Sequence, residues 1–276
     1  MSDNHYIIKK SEQHPHISEC DITLDGNFSS VLVPATEEIS LTLWVDANQE
    51  KECCNTKDQI EIVVEQDASL KMVVVQNENE QSKHNTLFNI ELKRNASLLM
   101  SIFTINGNVN NKIEAILTEE GADIELNSLY LGDGERIINN DINLLHKSGG
   151  CKSNQLFKGI LGGNSKSSFI GDVVVERDAQ KTEAYQANKN LLISDSAKAI
   201  SKPELIIYAD DVKCSHGSTI GTLGTEELFY MRSRGITLKQ AQILQQQAFA
   251  AEVLNKIEDM DLREKLTVMV EEFLEK

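Results

Sequence analysis

From about Ile7 to His216 the chain is a succession of short apolar runs rich in β-branched residues, among them Ile60 to Val64, Leu70 to Val75, Leu98 to Ile105, Ile113 to Leu117, Val173 to Val175 and Leu205 to Tyr208. Clusters of Asn, Asp, Gly and Ser separate them, the pattern of strands joined by tight turns. The units also resemble one another. Gln66-Asp67-Ala68-Ser69-Leu70, Arg94-Asn95-Ala96-Ser97-Leu98 and Glu120-Gly121-Ala122-Asp123-Ile124 each run turn residue, Ala, small or polar residue, aliphatic, and their alanines fall 28 and then 26 residues apart. That is the size of one coil of a β-solenoid. One coil of short strands cannot bury its apolar side alone, whereas stacked coils pair their backbones and share a continuous interior. A β-sandwich also has short strands, but it does not require the repeat.

After Gly224 the period changes to that of helices. Thr225, Glu226 and Glu227 precede Leu228, Phe229 and Met231, with Arg232 and Arg234 before Gly235: an N-cap, an acidic first turn, a basic last turn and a C-terminal glycine. Thr237 and Gln240 form a capping box ahead of a stripe of Ala241, Leu244, Ala248, Ala251 and Leu254. Asp261 and Glu264 open a third helix with Leu262, Leu266, Met269 and Phe273 on its stripe. The pattern divides the chain into a β-solenoid core over residues 1–222 and a helical domain over 223–276. The short glycine-rich junction at Gly221 to Gly224 predicts helices docked on the end of the solenoid.

Composition narrows the function classes. Asp plus Glu number 43 against 27 Lys plus Arg, a net charge of −16, which repels nucleic acid and anionic membrane surfaces. Cys20, Cys53, Cys54, Cys151 and Cys214 are odd in number, include an adjacent pair and lack Cys-x-x-Cys spacing, which fits reduced thiols in a cytoplasm. The start of the chain has no basic and apolar leader, and no window of about 18 apolar residues occurs. The expectation is a soluble, cytoplasmic protein.

Familiar catalytic motifs are missing. There is no Walker loop and no Gly-x-Gly-x-x-Gly opening a helix, so ATP is not expected to bind this chain. Gly159-Ile160-Leu161-Gly162-Gly163 reads as a turn between coils. Asp210 and Asp211 would face opposite ways on a strand and read as a solvated turn. No serine sits in a nucleophile elbow. His14-Pro15-His16 reads as a solvated pair. A β-helix enzyme acting on acidic polysaccharide would need aromatic platforms, and the single Trp44 supplies few.

The remaining constellation is Lys213-Cys214-Ser215-His216-Gly217. Val212, Cys214 and His216 share strand parity, so thiol and imidazole point to one face. Two readings stand on the pattern: a core histidine beside a small apolar cysteine, or two ligands for one soft metal or cluster.

Several segments between Leu156 and Gly235 add a family resemblance. Phe157-Lys158-Gly159-Ile160-Leu161, the run Asp178 to Leu192 containing Glu183-Ala184-Tyr185-Gln186-Ala187-Asn188-Lys189-Asn190, the stretch Pro203 to Gly217, and Leu228-Phe229-Tyr230-Met231-Arg232-Ser233-Arg234-Gly235-Ile236 together resemble the SufD side of the SufB/SufD family of the SUF iron–sulfur cluster assembly machinery. SufB-like sequences carry a cysteine at the place of Asn188, and Glu-His-Glu at that of Ser215-His216-Gly217; both departures favour the SufD side.

The resemblance implies a mainly β protein, a right-handed parallel β-helix with a small C-terminal helical domain, acting as a non-catalytic scaffold. It implies a heterodimer with a SufB-like subunit, and a SufC-like ABC ATPase docked on the C-terminal helices, where Leu228, Phe229, Arg232, Arg234, Leu244 and Phe249 are the expected contacts. It makes His216, with Cys214 as accessory, a metal ligand pair for a transient iron–sulfur cluster or iron at the SufB interface, with nothing held stably by the chain alone. A SufB-like homodimeric scaffold is the competing arrangement. Family members generally begin with a helical N-terminal domain, and this chain, opening almost directly into strands, is expected to be a compact version. Cys151, just ahead of Phe157-Lys158-Gly159, is expected to be a small buried side chain or to carry an added role.

Overall fold

The computed structural model describes residues 4–6, 21–23, 28–46, 55–77 and 82–275. His14, His16, Cys20, Cys53 and Cys54 lie outside the described residues. Among the described residues, sixteen strands alternate between two parallel sheets, one taking the odd-numbered strands and the other the even-numbered. The odd sheet comprises β1 (Asn4–Tyr6), β3 (Phe28–Val33), β5 (Asn55–Val64), β7 (Lys83–Leu92), β9 (Asn108–Leu117), β11 (Ile137–His146), β13 (Lys166–Val175) and β15 (Lys198–Ile207). The even sheet comprises β2 (Asp21–Thr23), β4 (Glu38–Asp46), β6 (Ser69–Asn77), β8 (Ser97–Asn106), β10 (Asp123–Gly132), β12 (Lys152–Leu161), β14 (Glu183–Leu192) and β16 (Lys213–Thr222). Each coil lays one strand on each sheet, so the chain is the parallel β-solenoid that its repeat predicts.

One corner of the coil explains the repeat. Thr36, Asp67, Asn95, Gly121, Gly150 and Lys181 occupy equivalent turns, and each has a positive φ, between 51° and 75°. In that conformation the amide points along the solenoid axis: Asp67 N–H donates to the Arg94 carbonyl at 2.9 Å, Asn95 N–H to Glu120 at 3.0 Å, and Lys181 N–H to Asp211 at 2.5 Å. From the second of these turns onward, the next residue turns into the interior: Ala68, Ala96, Ala122, Cys151 and Thr182, all buried. The alanine repeat is therefore a ladder of small side chains that the tight corner can hold, and Cys151 is one of its rungs. Its thiol donates to the Glu119 carbonyl at 3.2 Å, and burial raises its pKa above the ordinary thiol value.

The interior between the sheets is filled by alternate residues, among them Ile62, Leu70, Met72, Phe88, Leu98, Met100, Ile124, Phe157 and Phe169. Polar side chains interrupt it in bonded groups. Tyr130 leans across Gly159, its register partner on β12, and donates to Asn190 Oδ1 at 2.7 Å. A Cβ on Gly159 would lie 2.2 Å from Tyr130 Cε2, so only glycine leaves room for the ring. His146 is fully buried, with Nε2 2.9 Å from Ser153 Oγ.

The three helices are α1 (Thr225–Ser233), α2 (Leu238–Leu254) and α3 (Met260–Glu275). The α2 capping box of Thr237 and Gln240 is present. Two caps differ from expectation. Gly224 is the N-cap of α1 and Thr225 its first residue. Asp259, in place of Asp261, caps α3, its Oδ1 accepting from Asp261 N–H at 2.9 Å and Leu262 N–H at 3.0 Å.

The helices do not dock on the end of the solenoid. They fold back over the outer face of the even sheet, where Val75, Phe103, Ile105, Leu129, Leu131, Leu156 and Ile160 form a second apolar cluster with Ala250, Val253 and Leu254 of α2 and Leu266, Val270 and Phe273 of α3. The reason is that β8, β10 and β12 are apolar on both faces and need cover outside as well as in. The stripe on α2 is correspondingly rotated: Ala241, Gln246, Ala250, Val253 and Leu254 are buried, while Leu244 and Ala248 are exposed. Lys158, on the outer face of β12, is almost fully buried beneath α2, bonded to Glu252 at 2.5 Å and 3.9 Å above the Phe249 ring centre. Burial lowers its pKa while Glu252 opposes the shift.

Replacing Gly159 with alanine should destabilise the fold by about 1–3 kcal/mol, the usual cost of forcing atoms into a packed core, read as a lower midpoint of urea unfolding. His146 gives a pH signature. Burial lowers its pKa from 6.5 to about 4, so it is neutral in the folded protein over a range where the unfolded chain binds a proton. Its contribution is complete above about pH 6.5 and is lost as pH falls towards 4, by about 3 kcal/mol. Thermal melts should show that decline, and His146→Gln should flatten it.

Candidate functional site at the terminal coil

The last coil is β15, the corner from Tyr208 to Val212, and β16. Each strand closes its sheet: β15 pairs only with β13, and β16 only with β14 among the described residues. The outward edge of both strands therefore presents backbone N–H and C=O groups to whatever lies beyond. Exposed apolar side chains surround these edges: Ile200, Ile206, Ile207, Tyr208 and Ile220, with Tyr208 62 % exposed. Few charged groups lie among them on β16, whose Lys213 is paired with Glu183 at 2.8 Å.

Cys214 and His216 occupy adjacent inward positions of β16, in register with the buried Ala184 and Gln186 of β14. Because no further coil among the described residues covers them, the same parity that buries their neighbours below leaves them at the surface. Cys214 is half-buried, packed against the interior cluster. Burial raises its thiol pKa, with a backbone hydrogen bond from Ala184 working the other way. His216 is exposed, and its Nδ1 lies 2.8 Å from the Pro203 carbonyl of β15. A carbonyl only accepts, so Nδ1 carries the proton and the neutral ring keeps its lone pair on Nε2. The ring is thereby fixed across the mouth of the solenoid with a ligand-competent nitrogen free.

The structure thus brings Cys214 and His216 together on one open face. Among the described residues, no three His, Cys, Asp or Glu side chains cluster in a way that would hold a metal ion. A thiol and an imidazole supply two donors suited to iron or another borderline metal. Asn188 is not at the surface. It lies fully buried, donating to Tyr130 Oη at 3.0 Å and to the Phe157 carbonyl at 3.2 Å.

The residues expected to meet a second partner divide. Helix α1 buries none of its side chains. Phe229 is 75 % exposed, Arg232 and Arg234 are exposed, and Leu228 is half-buried. Leu244 is exposed on α2. Phe249 departs from the expectation, since its ring lies beneath Lys158 in the cluster that joins helix to sheet. Tyr230, 59 % exposed and stacked near the Arg234 guanidinium at 5.4 Å, belongs with the exposed group; the adjacent aromatic pair Phe229-Tyr230 ahead of Arg232 and Arg234 was the signal for it. A cleft of about 460 Å³ lies elsewhere, between the even sheet and the start of α3, lined by Met72, Val73, Lys71 and Leu262. Lys71 there is paired with Glu38 and Glu258, and Lys256 with Glu125, so among the described residues the cleft gathers no free cation. Among the described residues, no helix is long and apolar enough to cross a membrane.

Residues 18–249 match the family described as SUF system FeS cluster assembly, SufBD core domain. The chain is similar to the iron–sulfur cluster assembly protein SufD of Escherichia coli, 34 % identical over 210 residues, 76 % of this chain and 50 % of the relative. It is similar to a SufBD family protein of Mycobacterium tuberculosis, 32 % identical over 227 residues, 79 % of this chain and 57 % of the relative. The SufD of Bacillus subtilis is 27 % identical over 168 residues, 61 % of this chain and 37 % of the relative. The chain spans about half the length of the first of these relatives.

With its pKa raised by burial, Cys214 should alkylate more slowly at neutral pH than an unperturbed cysteine. Peptide mapping after iodoacetamide treatment should show Cys214 modified well before the buried Cys151.

Proposed function

Since the chain belongs to the SufBD core family of the SUF iron–sulfur cluster assembly system and is SufD-like, we propose that it is a non-catalytic scaffold whose terminal coil joins a SufB-like subunit and forms with it a transient cluster assembly site. The observation that carries this reading is the coincidence of three features on one coil: two unpaired sheet edges, a rim of exposed aliphatics, and Cys214 with His216 between them. An end that offers strand edges is suited to a partner that is itself a sheet. The apolar rim would supply the buried core of such an interface. Cys214 and His216 then contribute two ligands and the partner the remainder, so that the cargo, iron or an iron–sulfur cluster, is held by few thiolates and can leave. No cluster is held stably by the chain alone.

Helix α1 fits a second contact, with a SufC-like ABC ATPase. Phe229 and Tyr230 supply aromatic anchors and Arg232 and Arg234 the charge, the residue types that dominate interface energetics. Leu228 and Leu244 extend this surface, and Phe249 contributes indirectly by fixing α2 on the sheet. Movement of the ATPases would reach the terminal coil through the short Leu223-Gly224 connection between β16 and α1. The net charge of −16 argues against nucleic acid and anionic membranes as partners. Asn188, Ser215 and Gly217 favour this heteromeric role over a SufB-like homodimer.

Co-expression with SufB-like and SufC-like partners from the same organism tests both contacts. His216→Ala should leave the three proteins co-purifying while cluster formation in cells falls, read from the activity of a cluster-dependent enzyme. Phe229→Asp should release the ATPase and retain the scaffold pair. Undiminished cluster formation in the His216 variant overturns the cluster site, and recovery of this chain with the ATPase and no second scaffold supports the homodimer.

A further inference from the structure

The two strands that end the solenoid differ in what their edges can still bond. Lys198 N–H donates to the Ser165 carbonyl at 3.0 Å and Tyr208 N–H to that of Val175 at 2.8 Å, and the register between β15 and β13 is unbroken. Backbone direction alternates along a strand. The even-numbered residues of β15 therefore bond back to β13, and the odd-numbered ones, Ser201, Pro203 and Leu205 among them, face the open end. Pro203 stands at the centre of that open row and has no N–H. Its carbonyl is already engaged by His216 Nδ1 at 2.8 Å. One coil below, Gly171 holds the equivalent position and keeps its N–H. Among the described residues, Pro203 is the only proline within a strand. A proline, together with the charges of Lys198, Lys202 and Glu204 along the same strand, closes an edge to further pairing.

The edge of β16 is the reverse case. Lys213 N–H donates to the Thr182 carbonyl at 2.9 Å, again in unbroken register, here with β14, so Cys214, His216, Ser218, Ile220 and Thr222 turn both backbone groups to the open end. None of these is a proline, and the one lysine of the strand is paired with Glu183. The outer face of β16 is also left low. Gly217 and Gly221 have no positive φ, and a Cβ on either would meet nothing within 4 Å among the described residues. Neither local backbone nor a neighbour in this chain calls for glycine there, and glycine within a strand is also used where another backbone comes close.

We propose that the second scaffold adds a β-strand to β16 alone, continuing the even sheet across the junction, while Pro203 and His216 close the odd sheet. The inference rests on the terminal coil being that junction, and it names the element by which the partner is joined. It also locates the partner's share of the cargo site. The backbone groups that the added strand bonds include those of Cys214 and His216, and neighbouring strands lie about 4.8 Å apart. Those side chains of the added strand that face the solenoid interior then stand beside the thiol and the imidazole. The partner's ligands come from alternate positions of one strand.

Hydrogen exchange of the chain alone, and of its co-expressed complex with the SufB-like protein, reads the two edges separately. In the complex the outward amides of β16 should slow about fivefold or more, as expected where each gains a net hydrogen bond. Those of Ser201 and Leu205 should keep the rates of the free chain. Ser218→Pro removes an open-edge N–H that this chain does not itself use, and should weaken the association about tenfold by leaving a partner carbonyl without its donor, with an unchanged melting temperature. Ser201→Pro does the same on β15 and should associate as the unmodified chain does. Protection of both strands alike, or of β15 alone, overturns the assignment to β16 and leaves the terminal coil as the junction. Undiminished association of Ser218→Pro, or an equal loss in Ser201→Pro, overturns it likewise. A complex that changes exchange in neither strand, or no complex from the unmodified chain, overturns the junction and this inference with it.

Discussion

Every coil of this protein depends on the coil beside it. The strands are parallel and in register along both sheets, and the corner amides of Thr36, Asp67, Asn95, Gly121, Gly150 and Lys181 point along the axis to carbonyls of the next coil. A coil without a neighbour would leave its backbone unpaired and its apolar side wet. The stack can therefore be continued indefinitely but cannot end without exposing something. At the C-terminal end the exposed groups are the edges of β15 and β16, and the residues that would otherwise have been buried there are Cys214 and His216. The chemistry of the site follows from that termination: the interior parity that makes Ala184 and Gln186 core residues makes their counterparts one coil later accessible.

The helical domain solves a different problem. The odd sheet carries polar side chains outside, including the hydrogen-bonded row Asn85, Asn110 and Asn139, and needs no cover. The even sheet is apolar on both faces through β8, β10 and β12. Helices α2 and α3 cover it, with Lys158, Glu252 and Lys189 joined across the boundary. Helix α1, which belongs to neither layer, is left with its aromatic and basic residues free. One packing requirement thus holds two helices to the solenoid and leaves the third available, directly after the terminal strand.

The repeat was legible because its signal was chemical as well as periodic: Ala68, Ala96 and Ala122 fill one corner whose size admits little else. The same corner holds Cys151 and Thr182, which composition alone does not equate with alanine, so the ladder read as shorter than it is. The third-helix stripe of Leu262, Leu266, Met269 and Phe273 was legible from its spacing. The α2 stripe was not, because Ala248, Ala250 and Ala251 offer nearly equal claims to face the sheet and the apolar sheet positions decide between them. Docking on the end of the solenoid was the natural expectation from a short linker. The outward Phe103, Leu129 and Ile160 spoke against it, but a buried two-faced strand and an inward run look alike in one sequence. At the site, strand parity placed Cys214 and His216 on one face. The tie from His216 to Pro203 depends on which strands cross the interior from each other, which no local pattern encodes.

A site at the end of a solenoid combines two properties that seldom meet. From below it is as rigid as a core, because each rung is fixed by the one before it: Gln155 orders Gln186, and Pro203 orders His216. From above it is as open as a loop, because no rung follows. A transient cargo needs both, a fixed geometry to assemble on and few enough ligands to leave by. A closed set of four thiolates in one chain would satisfy the first and defeat the second. On the proposed function, dividing the ligands between the ends of two scaffolds would make retention depend on how the ends are held together, and α1, one short connection from β16, would transmit that dependence from an ATPase to the site.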